Sequence, residues 1–164
     1  MADSDTDWTP AVSFYFNVKV IGFDDNYDYA FKEVAGLSAE NKYEEIREGG
    51  VNDFFWKVPQ ETIYPNLVLK RGMATMDSRL SDWVVDSIVN DFQKKIELHD
   101  IEVSLLNHES ENLITWTFRN ARPIKWTVSD LDSMKNELLV ETLEFCHTGF
   151  TVSADDSMGL GLLF

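Results

Sequence analysis

The sequence predicts a mainly β (α+β) fold, with two packed antiparallel β-sheets or a β-barrel and one flanking α-helix. Two observations lead to this prediction. Roughly eight short segments have strand character, and the clearest of them alternate apolar with other residues at a period of two. One segment has instead the three- and four-residue spacing of an amphipathic helix. Strands that are apolar on one face bury those faces by closing into a barrel or by stacking as two sheets.

Three strands are predicted in the first third of the chain. Apolar residues occupy every second position of residues 12–20, which is the clearest strand signal in the sequence. Residues 24–28 form a polar turn, and residues 31–37 are interpreted as the strand that returns from this turn in a hairpin. Residues 41–47 are predicted to form a third strand.

The middle of the chain is predicted to contain a loop, a strand and the helix. Residues 48–61 combine glycines, a proline and adjacent aromatic residues, and they are interpreted as a long loop. Residues 63–71 return to strand character, and Asp77 or Ser78 can cap the helix that follows. The apolar stripe of this helix consists of Leu80, Trp83, Val84, Ile88 and Phe92.

The last third of the chain is predicted to be rich in strands. Residues 101–105, 114–118 and 124–128 each alternate apolar and polar side chains, and each is interpreted as one strand. Residues 129–134 are expected to form a short helical turn. Residues 138–150 are predicted to be a strand, although the apolar residues at its start are consecutive and do not alternate.

The domain organisation follows from length and composition. A chain of 164 residues has the ordinary length of one domain. We expect a flexible acidic lead-in at residues 1–10, a single β domain at residues 11–152 and an apolar C-terminal tail at residues 153–164.

The charge of the chain excludes several classes of partner. Asp and Glu number 29 and Lys and Arg number 14, which gives a net charge of −15. Nucleic acids and anionic membranes attract clustered Lys and Arg, so stable binding to either is not expected. The N-terminus has no positively charged and then apolar signal peptide, and no segment has the length of a transmembrane helix. Synthesis in the cytoplasm without a signal peptide is therefore expected.

No catalytic residue, cofactor or metal site is predicted. His99 and His108 lie among carboxylates at a spacing that fits no zinc site, and a solvated acidic rim is the favoured interpretation. Cys146 precedes His147, but adjacent residues on a strand point to opposite faces. A buried structural cysteine is therefore favoured over a thiol–imidazole pair.

Two apolar segments have no catalytic interpretation. Phe54, Phe55 and Trp56 are adjacent in the predicted loop, where they form either a small satellite core or a protein-binding patch. Residues 158–164 are apolar, whereas chain ends are usually polar. This tail is expected to pack either into its own fold or into a neighbouring molecule.

Seven segments, taken in order, resemble the inner tube protein of contractile injection systems, a family that includes contractile phage tail tubes and extracellular injection particles. The segments are VSFYF (12–16), FKEVAGL (31–37), REGG (47–50), NLVLKRG (66–72), LLN (105–107), WTFRNARPIKW (116–126) and ELLVETLEF (137–145). The resemblance extends over residues 12–150, and its specificity lies in the order of the segments.

The resemblance implies a tail-tube-like fold and a structural role. Subunits of this family form hexameric rings that stack into a rigid hollow tube, and a contractile sheath drives this tube through a target membrane to deliver cargo from the lumen. It implies a sheath protein, baseplate or initiator proteins and terminator proteins as partners, in an injection particle or phage tail. The membrane is involved only as the target that is pierced.

The resemblance also places an interface. Residues 47–59 correspond to the extended loop of the family, which reaches an adjacent subunit or ring. The apolar tail lies outside the segments that carry the resemblance, and its composition makes it a second candidate contact. The predicted inter-subunit or inter-ring residues are Arg47, Glu48, Gly49, Gly50, Phe54, Phe55, Trp56, Leu160, Leu162, Leu163 and Phe164.

Three alternatives and one electrostatic expectation stay open. The chain is alternatively a tube-initiator subunit that joins baseplate to tube, a monomeric β-barrel that binds a small ligand, or a small hydrolase that uses carboxylates. Six copies carry 6 × −15 = −90 charges per ring. We expect many carboxylates to face the lumen, where they would repel polyanionic cargo from the wall.

Overall fold

Nine strands and one helix make up the part of the chain that the structure, a computed structural model, describes, which is residues 16–23, 31–47, 49, 54–72, 79–90, 95–131 and 138–154. The strands are β1 (Phe16–Val20), β2 (Glu33–Ala35), β3 (Glu40–Ile46), β4 (Trp56–Ile63), β5 (Leu67–Gly72), β6 (His99–Leu106), β7 (Asn112–Val128), β8 (Val140–Cys146) and β9 (Phe150–Ala154), and the helix is α1 (Arg79–Ile88).

Seven of these strands are joined through β7, which belongs to two antiparallel sheets. The first half of β7 pairs with β6 on one side and β9 on the other, and β1 continues this sheet beyond β6. The second half of β7 pairs with β8, which is followed by β5 and β2. Between the two halves, Asn120 has a φ of 52° and donates its backbone N–H to Asp100 Oδ1 at 2.8 Å. The predicted pair of antiparallel sheets is confirmed.

The core lies between the inward faces of the two sheets and one face of α1. Every second residue of β5 and β8 is buried, as the period of a strand requires. The helix adds Leu80, Trp83 and Val84, which confirms the predicted flanking helix and this part of its stripe. The buried apolar residues are Val18, Val20, Phe23, Leu67, Leu69, Leu80, Trp83, Val84, Ile101, Val103, Phe118, Ala121, Leu143 and Phe145.

A buried polar network ties the helix to the second sheet. Arg71 of β5 and Glu141 of β8 form an ion pair with an Nε to Oε2 distance of 2.6 Å, and both side chains are almost fully buried. Arg71 Nη2 also donates to Ser81 Oγ of α1 at 3.2 Å, and Trp126 Nε1 donates to Glu141 Oε1 at 2.8 Å. Both oxygens of the buried carboxylate therefore have a donor, which buried charges require.

Two predictions for the N-terminal half are wrong. β2 does not return against β1 in a hairpin, because β1 pairs with β6 and β2 pairs with β5. The segment interpreted as a long loop contains β4, which pairs with β3 in a separate two-stranded sheet. Local periodicity reports that a strand exists, but its partner is set by contacts distant in sequence. The predicted strand at residues 41–47 is confirmed as β3.

Three boundaries in the C-terminal half also differ from prediction. The two alternating runs at 114–118 and 124–128 form one strand, β7, because the bend near Asn120 changes its sheet without ending it. The single strand predicted at 138–150 is two strands, β8 and β9, separated by a turn that contains Gly149 at φ 138°. Residues 129–131 are not helical, and 132–137 lie outside the described residues, as do Asp77, Ser78 and Phe92.

Candidate assembly site on a projecting arm

The two-stranded sheet of β3 and β4 forms a projection that we call the arm, comprising the described part of residues 40–63. Every residue of β3 is exposed, and so is every residue of β4 except the half-buried Ile63 at its end. The arm is hydrogen-bonded within itself and is separate from the seven-stranded system. A ribbon of two strands has marginal stability in water on its own, so its place on the body matters.

The arm extends from the antiparallel pair of β2 and β5, because β3 follows β2 in the chain and β4 precedes β5. Glu33 lies opposite Lys70 and Ala35 opposite Val68, and the same two chain segments then continue into β3 and β4. The junction contains Gly36, whose φ is +97°. A Cβ at this position would collide with the backbone carbonyl of Asn66, so the two segments approach as closely as they do only with glycine there.

Side chains from β8 and from the turn that follows it hold the base of the arm. His147 Nδ1 accepts the Gly149 N–H at 3.1 Å, so Nε2 carries the hydrogen that is donated to Pro65 O at 2.9 Å. Asn66 Nδ2 donates to Glu144 Oε1 at 2.7 Å. These bonds fix residues 64–66, and with them the direction in which the arm leaves the body.

One face of the arm is apolar. Ile46 lies directly opposite Trp56, and Glu44 lies opposite Val58, so these side chains share one side of the ribbon. Phe54 joins them, because its ring meets the Trp56 ring edge-on at 5.4 Å. We call Ile46, Phe54, Trp56 and Val58 the apolar face. All four are exposed large hydrophobic residues.

The opposite face of the arm combines cations with aromatic rings. The Arg47 guanidinium lies 4.8 Å from the centroid of the Phe55 ring, and Lys57 Nζ lies 4.5 Å from that of Tyr43. Lys57 Nζ is also 3.4 Å from the Tyr43 hydroxyl. We call Tyr43, Arg47, Phe55 and Lys57 the cationic face. Such contacts over a ring face are attractive even at exposed sites.

The predicted interface residues within the arm lie on both of its faces. Phe54 and Trp56 lie on the apolar face, whereas Arg47 and Phe55 lie on the cationic face. Gly49 is at the tip, between the two strands. Predicted residues that lie outside the described part are Glu48, Gly50, Leu160, Leu162, Leu163 and Phe164.

Four residues of the arm were not among the predicted interface residues: Tyr43, Ile46, Lys57 and Val58. A signal for β4 was present, since Phe54, Trp56 and Val58 alternate with Lys57 and Pro59. Pro59 argued against a strand in this segment, because proline is rare within strands except at a sheet edge. It is tolerated here because both strands of a two-stranded ribbon are edges. Phe55 obscured the alternation as well, because it is an aromatic residue that lies on the opposite, cationic face of the ribbon.

The described residues carry only a small part of the net negative charge of the chain. They include 15 acidic and 12 basic side chains, a net charge of −3, so most of the −15 belongs to residues outside them. On the outward sheet faces opposite charges are neighbours: Lys19 lies opposite Glu102, Lys125 opposite Glu144, and Lys70 Nζ is 2.7 Å from Glu33 Oε1. The acidic lumen therefore stays a prediction, and it depends on the remaining segments.

A cavity of about 300 Å³ lies beside α1. Phe23, Trp83 and Ile96 line it together with five charged residues of both signs, and Trp83 Nε1 donates to the backbone carbonyl of Glu97 at 3.1 Å. Among the described residues, no three His, Cys, Asp or Glu side chains are grouped as metal ligands. None of the described helices is both long and apolar enough to span a membrane.

The structure is similar to chains in solved contractile injection assemblies. A chain in the six-fold symmetrised cryo-EM structure of the anti-feeding prophage baseplate is 30% identical, with 90% of this chain and 97% of that chain covered and a TM-score of 0.79. A chain in the sheath–tube complex of the extracellular contractile injection system PVC, in the extended state, is 27% identical, with 89% and 93% covered and a TM-score of 0.73.

More distant structures share the fold alone. Hcp1 from Flavobacterium johnsoniae is 17% identical, with 87% of this chain and 97% of that chain covered and a TM-score of 0.53. The predicted tail-tube-like fold is confirmed by this set of similarities. No curated protein matches the chain.

A family model agrees with these structures. Residues 12–151 match the model described as T4-like virus tail tube protein gp19. The matched span contains both sheets, the helix and the arm, which is most of the chain. The resemblance found in the sequence is thereby confirmed, and the chain belongs to the tail tube protein family of T4-like viruses, whose members are structural proteins and not enzymes.

Proposed function

We propose that this protein is the subunit of the inner tube of a contractile injection system or phage tail, and that six copies form a ring whose stacking produces a hollow tube. The observation that carries the proposal is the arm. In a chain of the tail tube family, a ribbon that exposes four large apolar side chains on one face is suited to contact another subunit. Arg47, Gly49, Phe54, Phe55 and Trp56 all belong to the arm that makes this proposed contact.

The partners follow from the same proposal. A contractile sheath surrounds the tube and propels it through a target membrane, baseplate or initiator and terminator proteins close its ends, and the lumen holds the cargo. The support is that similar chains occur in solved baseplate, sheath–tube and tube-terminating cap structures. The acidic surplus outside the described residues is proposed to face the lumen in part.

Electron microscopy of the purified protein tests the assembly. Negative-stain images over a range of protein concentrations are expected to contain six-fold rings and tubes, and size-exclusion chromatography should give particles far larger than 18.9 kDa. A monomer of that mass at every concentration contradicts the proposal and favours the ligand-binding β-barrel.

A tube-initiator subunit is the second candidate. The observation that supports it is that a chain in a baseplate structure is 30% identical to this one. The same images distinguish the two roles. A tube subunit is expected to form tubes of many rings, whereas an initiator alone is expected to stop at single or paired rings.

The C-terminal tail is proposed as a second contact between rings, through Leu160, Leu162, Leu163 and Phe164. The support is its composition, since an apolar chain end needs a surface to cover it. A chain that ends at Ala154 is the sample that tests this role. Tubes that are short or missing support it, and tubes like those of the full chain contradict it.

A further inference from the structure

We propose that the two faces of the arm have different tasks: the apolar face, with Trp56 at its centre, is covered by a second copy of this chain, and the cationic face stiffens the arm and stays outside the contact. This inference rests on the proposed assembly and adds to it which side of the arm is buried. It separates the adjacent residues Phe54, Phe55 and Trp56 into two groups.

The cationic face satisfies its own groups. Arg47 lies over Phe55 and Lys57 lies over Tyr43, so each cation already has an aromatic partner within the arm. Lys57 is also directly opposite Glu45 across the two strands. These cross-strand pairs link β3 to β4 on a ribbon that has no core beneath it. A partner that covered this face would have to desolvate two cations and a carboxylate.

The apolar face keeps much of its surface in water despite the contacts within it. The Phe54 and Trp56 rings meet edge-on, and yet the two residues remain 49% and 55% exposed. Ile46 and Val58 flank them in register and are exposed as well. From the size of aromatic side chains, these four residues leave on the order of 400 Å² of apolar surface in water. That is the extent of the largest apolar patch on a typical monomer, which is often functional.

Charge argues that the occupant is another copy of this chain. Each copy has a net charge of −15, so copies repel one another wherever their acidic surfaces approach. The apolar face presents one carboxylate at its edge, Glu44, and that carboxylate accepts a hydrogen bond from Gln60 Nε2 at 3.2 Å. A face of such low charge is where one acidic subunit can meet another with little repulsion. Trp56, as a large aromatic anchor at the centre, has the character of a binding hot spot.

Phe54 and Phe55 provide a matched test, because they are adjacent, chemically identical and similarly exposed, at 49% and 44%. The variants Phe54→Ala, Phe55→Ala and Trp56→Ala of the full chain are compared with the unsubstituted protein. The measurement is the protein concentration at which half of the material sediments as rings or tubes in analytical ultracentrifugation. Thermal unfolding followed by near-ultraviolet circular dichroism checks that each body is folded.

We expect Trp56→Ala and Phe54→Ala to raise this concentration by about tenfold or more, as the loss of a hot-spot residue does. Phe55→Ala is expected to raise it by less than about threefold, since it removes only one exposed cation–π contact. An effect of Phe55→Ala equal to or larger than that of Phe54→Ala overturns the face assignment and leaves the arm as a contact. Three variants that assemble like the unsubstituted protein overturn the arm as a contact, and an unsubstituted protein that stays monomeric overturns the proposed function with it.

Discussion

The body and the arm of this protein place their large apolar side chains in opposite surroundings. Phe118 and Phe145 of the body are fully buried, whereas Trp56 of the arm is 55% exposed. The body therefore gains its stability from apolar area that folding removes from water. The arm gains little in this way, and what holds it is hydrogen bonding within the ribbon and attachment at its base. The difference teaches that the residues that stabilise the fold are separate from those proposed to make the contact between subunits.

The largest effect is expected from breaking the buried ion pair of the body. Arg71→Ala leaves the Glu141 carboxylate buried without its cation, which typically lowers the free energy of unfolding by about 3–5 kcal/mol. Urea denaturation followed by tryptophan fluorescence measures the loss. Lys70→Ala is the control, because Lys70 is the next residue and its pair with Glu33 is solvent-exposed. That control should lose no more than about 1 kcal/mol, and equal losses would contradict the importance of burial.

A substitution at Gly36, in the junction between body and arm, is expected to impair both the stability of the fold and the proposed assembly. Gly36→Ala forces a Cβ against Asn66 at a φ of +97°, and we expect it to cost about 1–3 kcal/mol of unfolding free energy and also to turn the arm away from its direction. Tube formation by electron microscopy should fail together with the stability loss.

Gly49→Ala at the tip of the arm is the control for this junction, because a Cβ there meets nothing within 4 Å. It should change stability by less than about 0.5 kcal/mol and leave tubes intact. A stable Gly36→Ala protein that forms normal tubes would show that the arm is not directed by its base.

The smallest effect is expected from an ion pair within the arm. Lys42 Nζ lies 3.4 Å from Glu61 Oε1, and both side chains are more than half exposed. Lys42→Gln keeps the length of the side chain and removes the charge, so unfolding free energy should change by no more than about 0.5 kcal/mol. The urea midpoint measures it. A loss comparable to that of Arg71→Ala would contradict the distinction between arm and body.

The parts of the fold that could be predicted from the sequence are those that depend on local periodicity. The stripe of Leu80, Trp83 and Val84 predicted α1, and alternating residues predicted β1 and β6. The pairing of β1 with β6 could not be predicted, because it joins residues that are distant in sequence. The bend at Asn120 could not be predicted either, because a polar residue between two alternating runs is typical of a turn that ends a strand.

The candidate site could be predicted only in part. The adjacent aromatic residues at 54–56 and the family resemblance pointed to the segment that contains the exposed aromatic residues of the arm. Its division into two faces could not be predicted, because that division depends on β4 being a strand in register with β3. Tyr43 and Ile46 gave no separate signal, since their role depends on Lys57 and Trp56 across the ribbon.

The long strand β7 has a mechanical consequence for the proposed tube. Its 17 residues, with a contour of roughly 55 Å at the usual rise per residue, pass through both sheets without interruption. A load that pulls the two sheets apart is therefore resisted by covalent backbone as well as by side-chain packing. Sliding of one sheet past the other would require many ladder hydrogen bonds to rupture together, so each subunit of the proposed tube should bear an axial load as a stiff unit.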